Sequence, residues 1–424
     1  MAGGCLCEIA INGRRVDSKR DIIGCIYAVL WNKYPIMAQL NNQRSDTIIK
    51  NKKGSTMNIK KTFSMIKLVL ISLIATTLIA CGPEKQAEST DEVAAQKNYN
   101  WKLVTSWPKN FPGLGTAPER FAEMVDEMSA GRLKIKVYGA GELVPALQVF
   151  DAVSQGTAEM GHSGAYYWKG KTPAAQFFTT VPFGLTAQEM NGWIYHGGGL
   201  ELWQELYAPF NLIPLAGGNT GVQMAGWFNK EINSVDDLKG LKMRIPGLGG
   251  EVLKRAGGTP VTLPGGELFT SLQTGTIDAT EWVGPYNDLA FGLYKAAKHY
   301  YYPGWHEPGS MMELTVNKPA FESLPKDLQA IVTVASRAVN ADMLAEYTAR
   351  NNAALTELVD KHGVDLRELP TDVLNKLRTL SEEVVAEVAA QDPASQKVYD
   401  SYIKYREGVV KYHAISEQSF INAR

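Results

Sequence analysis

Between Leu324-Pro325 and Gly363 the chain runs from Lys326 to Lys361 without one glycine or proline. Ile331, Val334, Ala335 and Val339, joined later by Leu344, Tyr347, Leu355 and Leu358, give that stretch an apolar stripe at helical spacing. At 1.5 Å per residue such a helix reaches about 50 Å, more than one compact lobe needs. It is expected to run behind two lobes as a brace.

The rest of the ordered chain alternates strand and helix patterns. Tyr99–Thr105 alternates apolar and polar residues, as a strand does. Trp107-Pro108 and the stretch from Gly113 to Thr116 read as a loop. Pro118 then falls in a first helical turn, ahead of Phe121, Met124, Val125 and Met128 at helical spacing. Gly131 closes that helix, Leu133–Tyr138 alternates as a second strand, and Leu147, Phe150 and Val153 mark a further helix. The rhythm continues through Leu212–Leu215, Val222–Asn229, Lys242–Ile245 and Gly247–Ala256, with helices expected over Thr371–Ala389 and Gln396–Tyr412. Such a sequence predicts α/β architecture, a parallel or mixed sheet with helices on its faces.

An export signal interrupts this pattern near the start. Lys60 and Lys61 precede a mostly apolar run from Met65 to Ala80, which ends in Leu78-Ile79-Ala80-Cys81. A basic start, a short apolar core and small residues before one cysteine describe a secretion signal. The run is short for a membrane span, and no later run approaches the length of one. Leu78–Cys81 resembles the bacterial lipobox, in which the cysteine is acylated and becomes the first mature residue. We therefore expect residues 1–56 to be an upstream extension from a wrongly assigned start, 57–80 a lipoprotein signal peptide, and 81–98 a polar, flexible tether. The folded domain is expected over 99–424. Cys5, Cys7 and Cys25 all precede the cut, so no cysteine remains for disulfides in the mature chain. Cys5 and Cys7 lack the second pair that a zinc site requires. Of 43 basic and 44 acidic residues, 12 and 4 lie before Cys81, leaving a mature chain of formal charge −9. That balance gives no reason to expect nucleic acid as a partner.

Catalytic constellations find no support in the sequence. Gly161-His-Ser163-Gly164 lacks the glycine spacing of a nucleophile elbow, and no His-Glu-x-x-His occurs. His162 is expected on the surface and Ser163 in a loop. Gly247-Leu-Gly-Gly-Glu-Val lacks the third glycine of a dinucleotide loop and the Gly-Lys-Ser/Thr of a P-loop. Arg244, set among apolar neighbours where Leu241-Lys-Met-Arg-Ile-Pro-Gly247 closes into a turn, is a candidate carboxylate clamp through its planar fork. Glu281, beside Trp282, is expected to be partly buried and to need a cation or a donor.

Four segments, taken together, resemble the solute-binding proteins of TRAP (tripartite ATP-independent) transporters. They are Gly217-Gly-Asn-Thr-Gly-Val-Gln223-Met-Ala-Gly-Trp227, Leu241–Gly247, Leu272-Gln-Thr-Gly-Thr-Ile-Asp-Ala-Thr-Glu281-Trp282 and Pro303-Gly-Trp-His-Glu-Pro-Gly309. The likeness is greatest to the subgroup for 2-oxo acids and lactate, also known as the mannitol/chloroaromatic type, and covers about Trp101 to Tyr412. It implies an α/β fold of two lobes around a ligand cleft, with the long helix bracing both. The lobes are expected to comprise approximately 99–220 with 310–345, and 221–309 with 346–424. It implies a non-catalytic periplasmic receptor, here membrane-anchored through Cys81, that hands a 2-oxo or 2-hydroxy monocarboxylate such as pyruvate or lactate to transporter membrane subunits. By the same resemblance Arg244 clamps the carboxylate, and Gln223, Glu281 and the main-chain oxygen of Trp282 hold a Na⁺ or Ca²⁺ ion that touches the ligand. Tyr166 is a ligand hydrogen-bond donor, Phe183 walls the cleft, and the helix over Gln396–Tyr412 pairs two copies as a homodimer. His306 departs from a tryptophan found in some relatives. Two other readings remain open at this point: the same receptor for an aromatic acid or sugar alcohol, and a lipoprotein enzyme on this scaffold.

Overall fold

In the computed structural model, which describes residues 97–424, alternation in the sequence becomes two separate sheets. The upstream extension, the signal segment, Cys81 and the tether up to residue 96 lie outside the described residues. The strands are β1 (Tyr99–Thr105), β2 (Leu133–Tyr138), β3 (Met160–Ser163), β4 (Leu212–Asn219), β5 (Gly226–Phe228), β6 (Lys242–Arg244), β7 (Thr259–Val261), β8 (Ala279–Thr280), β9 (His299–Tyr302), β10 (Met311–Asn317) and β11 (Asp365–Glu368). The helices of nine residues or more are α1 (Thr116–Met128), α2 (Ala187–His196), α3 (Gly199–Tyr207), α4 (Gly247–Arg255), α5 (Lys326–Asp360), α6 (Thr371–Ala389) and α7 (Pro393–Ile415).

The first sheet has the order β2-β1-β3-β10-β4 and the second β11-β9-β5-β8-β6-β7. Both are mixed: β1 runs parallel to β2 and β3, whereas β10 is antiparallel to its neighbours β3 and β4. In the second sheet β6 is parallel to β7 and β8, and β5 is antiparallel to β8 and β9. The expected α/β class is what the chain adopts.

The chain passes from the first sheet to the second between β4 and β5, back between β9 and β10, and over again between β10 and β11 through α5. The first two crossings lie side by side. Thr220 N–H donates to Ser310 O (3.1 Å), Gln223 N–H to Glu307 O (3.1 Å) and Gly304 N–H to Gln223 O (3.0 Å). The stretch Val222–Asn229 therefore pairs as a strand only over Gly226–Phe228, its first half being spent on the crossing.

Helix α5 acts as the brace its length implied, and of the expected stripe Ala335, Val339, Tyr347 and Leu358 are buried. Leu328, Val332, Ala335, Val339, Met343, Tyr347 and Leu358 are buried, while Val334 is exposed and Ile331 half-buried. Glu346 ties the two sheets' surroundings together. It pairs with Arg120 of α1 (2.6 Å), which packs on β2, and accepts from the hydroxyl of Tyr286 (3.0 Å) in the short helix Pro285–Phe291 that follows β8. Tyr347 donates to Asn287 Oδ1 (2.8 Å) in that same short helix. Helix α6 packs on α4, and α7 lies against α2, α3 and the turn Pro173–Phe178.

Candidate functional site

Parallel pairing of β6 with β8 sets Arg244 opposite Thr280, so the next residue, Glu281, comes against the guanidinium. The main chain repeats the link, with Glu281 N–H donating to Arg244 O (3.2 Å). Both side chains are about 1% exposed. Arg244 Nη1 donates to Glu281 Oε1, Nη2 to the hydroxyl of Tyr167 (2.9 Å) and Nε to Leu263 O (3.2 Å). Its guanidinium also lies 5.1 Å from the ring centre of Trp282. Burial opposes its charge, but Glu281 and the tyrosines more than offset this and hold its pKa above the usual range. An arginine has five N–H groups. Three are engaged, which leaves one on each terminal nitrogen, the pair that grips a carboxylate.

The crossing segments complete the site from the other side. Gln223 Nε2 donates to Glu307 Oε2 (2.9 Å), Thr220 Oγ1 (3.2 Å) and Ser310 Oγ (3.3 Å), so its carbonyl oxygen Oε1 is left buried without a protein partner. Glu281 Oε2 is likewise unpartnered, 3.5 Å from Nε2 of the buried His306. Donor atoms of Glu281, His306 and Glu307 lie within 4.8 Å of one another. Burial first, then the neighbouring Glu281, pushes the Glu307 carboxyl up to about 8. Orphaned buried oxygens cost free energy unless something binds them, and two converge here beside a partly free guanidinium. Oxygens of an amide and a carboxylate are hard ligands suited to Na⁺ or Ca²⁺, so the residues present fit such an ion.

The expected residues are placed unequally around this centre. Arg244, Glu281, Trp282 and Gln223 gather at it. Tyr166 packs edge-on against Tyr167 (ring centres 4.6 Å apart) and is buried, with its hydroxyl pKa raised well above the usual value by burial. Phe183 lies one layer out: its ring packs on Trp305 (6.0 Å) and its amide donates to Trp305 O (2.8 Å). Sequence reasoning passed over Tyr167, Glu307, Thr220 and Ser310. The signal for Glu307 lay in Gly304-Trp-His-Glu-Pro, two ionisable residues between an aromatic and a proline. The glycines of Gly247-Leu-Gly-Gly also find a use. Gly247 takes φ +60 where a Cβ would meet the Tyr166 side chain at 3.1 Å, and a Cβ at Gly249 would meet that of His306 at 3.0 Å. A groove of about 650 Å³ elsewhere on the surface is lined by Lys169, Glu251, Lys254, Arg255 and Glu387. Lys169 pairs there with Glu251 and Arg255 with Glu387 near the surface, unlike the unpartnered atoms at Arg244.

His162 is not a surface residue. It is fully buried in β3, where Nδ1 accepts from Trp107 Nε1 (2.7 Å), which leaves the Nε2–H to donate to Gly217 O (3.0 Å). Ser163 is buried too, 2.6 Å from Ser106 Oγ. The Trp107 ring so held stands edge-on to Trp282 (6.0 Å) and near Tyr167 (6.4 Å), forming an aromatic wall beside Arg244.

Comparison with known proteins identifies the family. The family model for bacterial extracellular solute-binding proteins, family 7, matches residues 103–392. A monocarboxylate 2-oxoacid-binding periplasmic protein from Nostoc is 44% identical over 362 residues, covering 85% of this chain and 98% of its own. The crystal structure of a TRAP periplasmic solute-binding protein from Pseudoalteromonas atlantica, with bound sodium and pyruvate, is 46% identical at a TM-score of 0.76, covering 77% of this chain and 100% of its own. A counterpart from Colwellia psychrerythraea, with bound calcium and pyruvate, is 45% identical with the same TM-score and coverage.

The aromatic wall carries a pH limit. Burial holds the His162 imidazole down at about 4, against 6.5 for the free group. A proton binds the unfolded chain more readily in that interval, so stability falls as pH drops from about 6.5 to 4. The loss attributable to His162 is about 3 kcal/mol. Urea unfolding at pH 7 and pH 4 should therefore show a larger drop for the wild type than for His162→Gln. Equal drops in the two proteins would contradict a neutral, buried His162.

Proposed function

Because this chain belongs to the bacterial extracellular solute-binding proteins of family 7, we propose that it is the receptor of a TRAP transporter for a small 2-oxo monocarboxylate, pyruvate foremost. The observation that carries this reading is the convergence of Arg244, with one N–H left on each terminal nitrogen, on the two unpartnered oxygens of Gln223 and Glu281. The ligands bound by the Pseudoalteromonas and Colwellia proteins favour it over a larger aromatic acid or a sugar alcohol. The family's receptor role favours it over an enzyme.

Charge completes the argument. Arg244 and Glu281 neutralise each other, so a monocarboxylate arriving beside them adds an uncompensated negative charge in a buried place, which is costly. A Na⁺ or Ca²⁺ ion held by Gln223 Oε1, Glu281 Oε2 and the Trp282 main-chain oxygen would supply that compensation to the ligand's carboxylate and 2-oxo oxygens. Arg244 and Tyr167 orient the acid, Tyr166 offers it a further hydroxyl, and the wall of Trp107 and Trp282 excludes water. Two lobes centred on the two sheets would close on the ligand about the crossings, with α7, expected in the second lobe, moving with the first because it packs on α2, α3 and Pro173–Phe178.

The receptor is further proposed to be a periplasmic lipoprotein, anchored through Cys81 and paired with a second copy through α7, whose far end exposes Val410, Tyr412 and Ile415. No helix among the described residues is long and apolar enough to cross a membrane. Cys81→Ser should release the protein into the soluble periplasmic fraction, and the released protein should scatter light as two chains. Retention in the membrane would overturn the anchor, and a single-chain mass would overturn the pairing.

Removing Arg244 tests the site itself. Arg244→Ala deletes a charge-assisted clamp and leaves Glu281 buried without its partner, so pyruvate affinity should fall at least about a hundredfold, on the order of 3 kcal/mol. Arg244→Lys should not restore it, because an ammonium lacks the planar fork. Calorimetry showing wild-type affinity in Arg244→Ala would place the ligand elsewhere.

A further inference from the structure

Phe183 holds an unusual conformation for a reason that lies outside the ligand site. Its backbone sits in the left-handed region (φ 53°), which is strained for a non-glycine residue and persists only where the surroundings enforce it. Three groups do so here. The Phe183 amide donates to Trp305 O (2.8 Å), its carbonyl accepts from Arg406 Nη2 of α7 (3.0 Å), and its ring lies 5.0 Å beneath the guanidinium of Arg378 on α6. Helix α7 fixes the adjacent chain as well, since the Tyr402 hydroxyl accepts from Leu185 N–H (2.8 Å). Trp305 leads directly into His306 and Glu307. Glu307 in turn holds the amide of Gln223 by side chain and main chain, and so turns the Gln223 carbonyl oxygen toward the centre.

We infer that Arg406, with Arg378 behind it, is a positioning residue for ligand affinity. It acts through Phe183 and Trp305 to set the register of the His306-Glu307 segment, and thereby the aim of Gln223. Phe183 is then the pivot of this relay, pinned from behind by the two C-terminal helices. The inference rests on the reading that Gln223 and Arg244 line the ligand site. It adds that two arginines more than 130 residues from Gln223 and Arg244 in sequence, neither in contact with that site's polar atoms, tune what the site can hold.

Isothermal titration of the purified protein with pyruvate, in calcium chloride buffer, tests this. Supporting groups one layer behind a metal or ligand set commonly change affinity by about tenfold to a hundredfold when removed. Arg406→Met, which keeps the stem but not the donor, should weaken pyruvate about tenfold while the ligand-free Tm stays close to wild type. Arg406→Lys, which keeps a donor, should recover most of the loss. In a Gln223→Leu background the same Arg406→Met change should cost less than about twofold, because its target is already gone. Wild-type affinity in Arg406→Met, or an equal loss with and without Gln223, would overturn the inference. Should Arg406→Met not fold, Arg378→Met on the exposed face of α6 carries the test: a weakening of a few-fold supports the relay and unchanged affinity overturns it. Arg244→Ala run alongside separates the two claims. If Arg244→Ala still binds, the site reading has failed, whereas a dead Arg244→Ala beside an unaffected Arg406→Met removes the relay alone.

Discussion

The buried ion pair of Arg244 and Glu281 is the interaction around which the rest of the molecule is arranged. Taking two charges out of water costs several kcal/mol apiece, and their attraction repays this only if further polar contacts complete the shell. Tyr167 and Leu263 O supply those contacts for the arginine, and the face of Trp282 covers it. The second oxygen of Glu281 receives no such partner. A fold built for stability alone would not leave it so, since a half-satisfied buried network is worse than an apolar one. The incomplete half is where binding energy becomes available.

Function requires that this pair be assembled from chain segments able to move as units. Arg244 and Glu281 belong to one sheet, while Gln223, His306 and Glu307 sit on the two crossings that lie side by side. Those crossings are hydrogen-bonded to each other, so a change at one is felt at the other. Glu346 and Tyr347 of α5 meet the Pro285–Phe291 helix just after Glu281-Trp282, while Glu346 also grips α1 on the far sheet. Receptors that close around small ligands commonly bend at a few such connecting segments while the packed layers stay rigid.

Much of this was legible in the sequence because it is local. Strands β1 and β2 announce themselves by alternation, and helix α5 by its freedom from glycine and proline. Arg244 and Glu281 stood out as charged residues among apolar ones. What could not be read was pairing across long separations. The contact of Arg244 with Glu281 depends on the register of β6 against β8, and no local pattern sets that register. His162 looked unremarkable because the tryptophan that buries it, Trp107, lies 55 residues earlier. Phe183 was expected to wall the cleft, but its contacts with Trp305, Arg378 and Arg406 place it one layer out. The stripe of α5 was misjudged at Val334 because that residue lies on the face opposite the row of Leu328, Val332, Val339, Met343, Tyr347 and Leu358, which stays buried along the helix.

The account's central claim is that acid and cation share one buried charge balance. Thermodynamic linkage then requires each to tighten the other by the same factor. The most direct measurement is pyruvate affinity by calorimetry across a series of free Ca²⁺ and, separately, Na⁺ concentrations, with choline chloride holding ionic strength constant. The account predicts that pyruvate binding strengthens with one of the two ions until its site saturates, and that Glu281→Gln abolishes the dependence while lowering affinity. Pyruvate affinity that is independent of both ions, in wild type and Glu281→Gln alike, would contradict it.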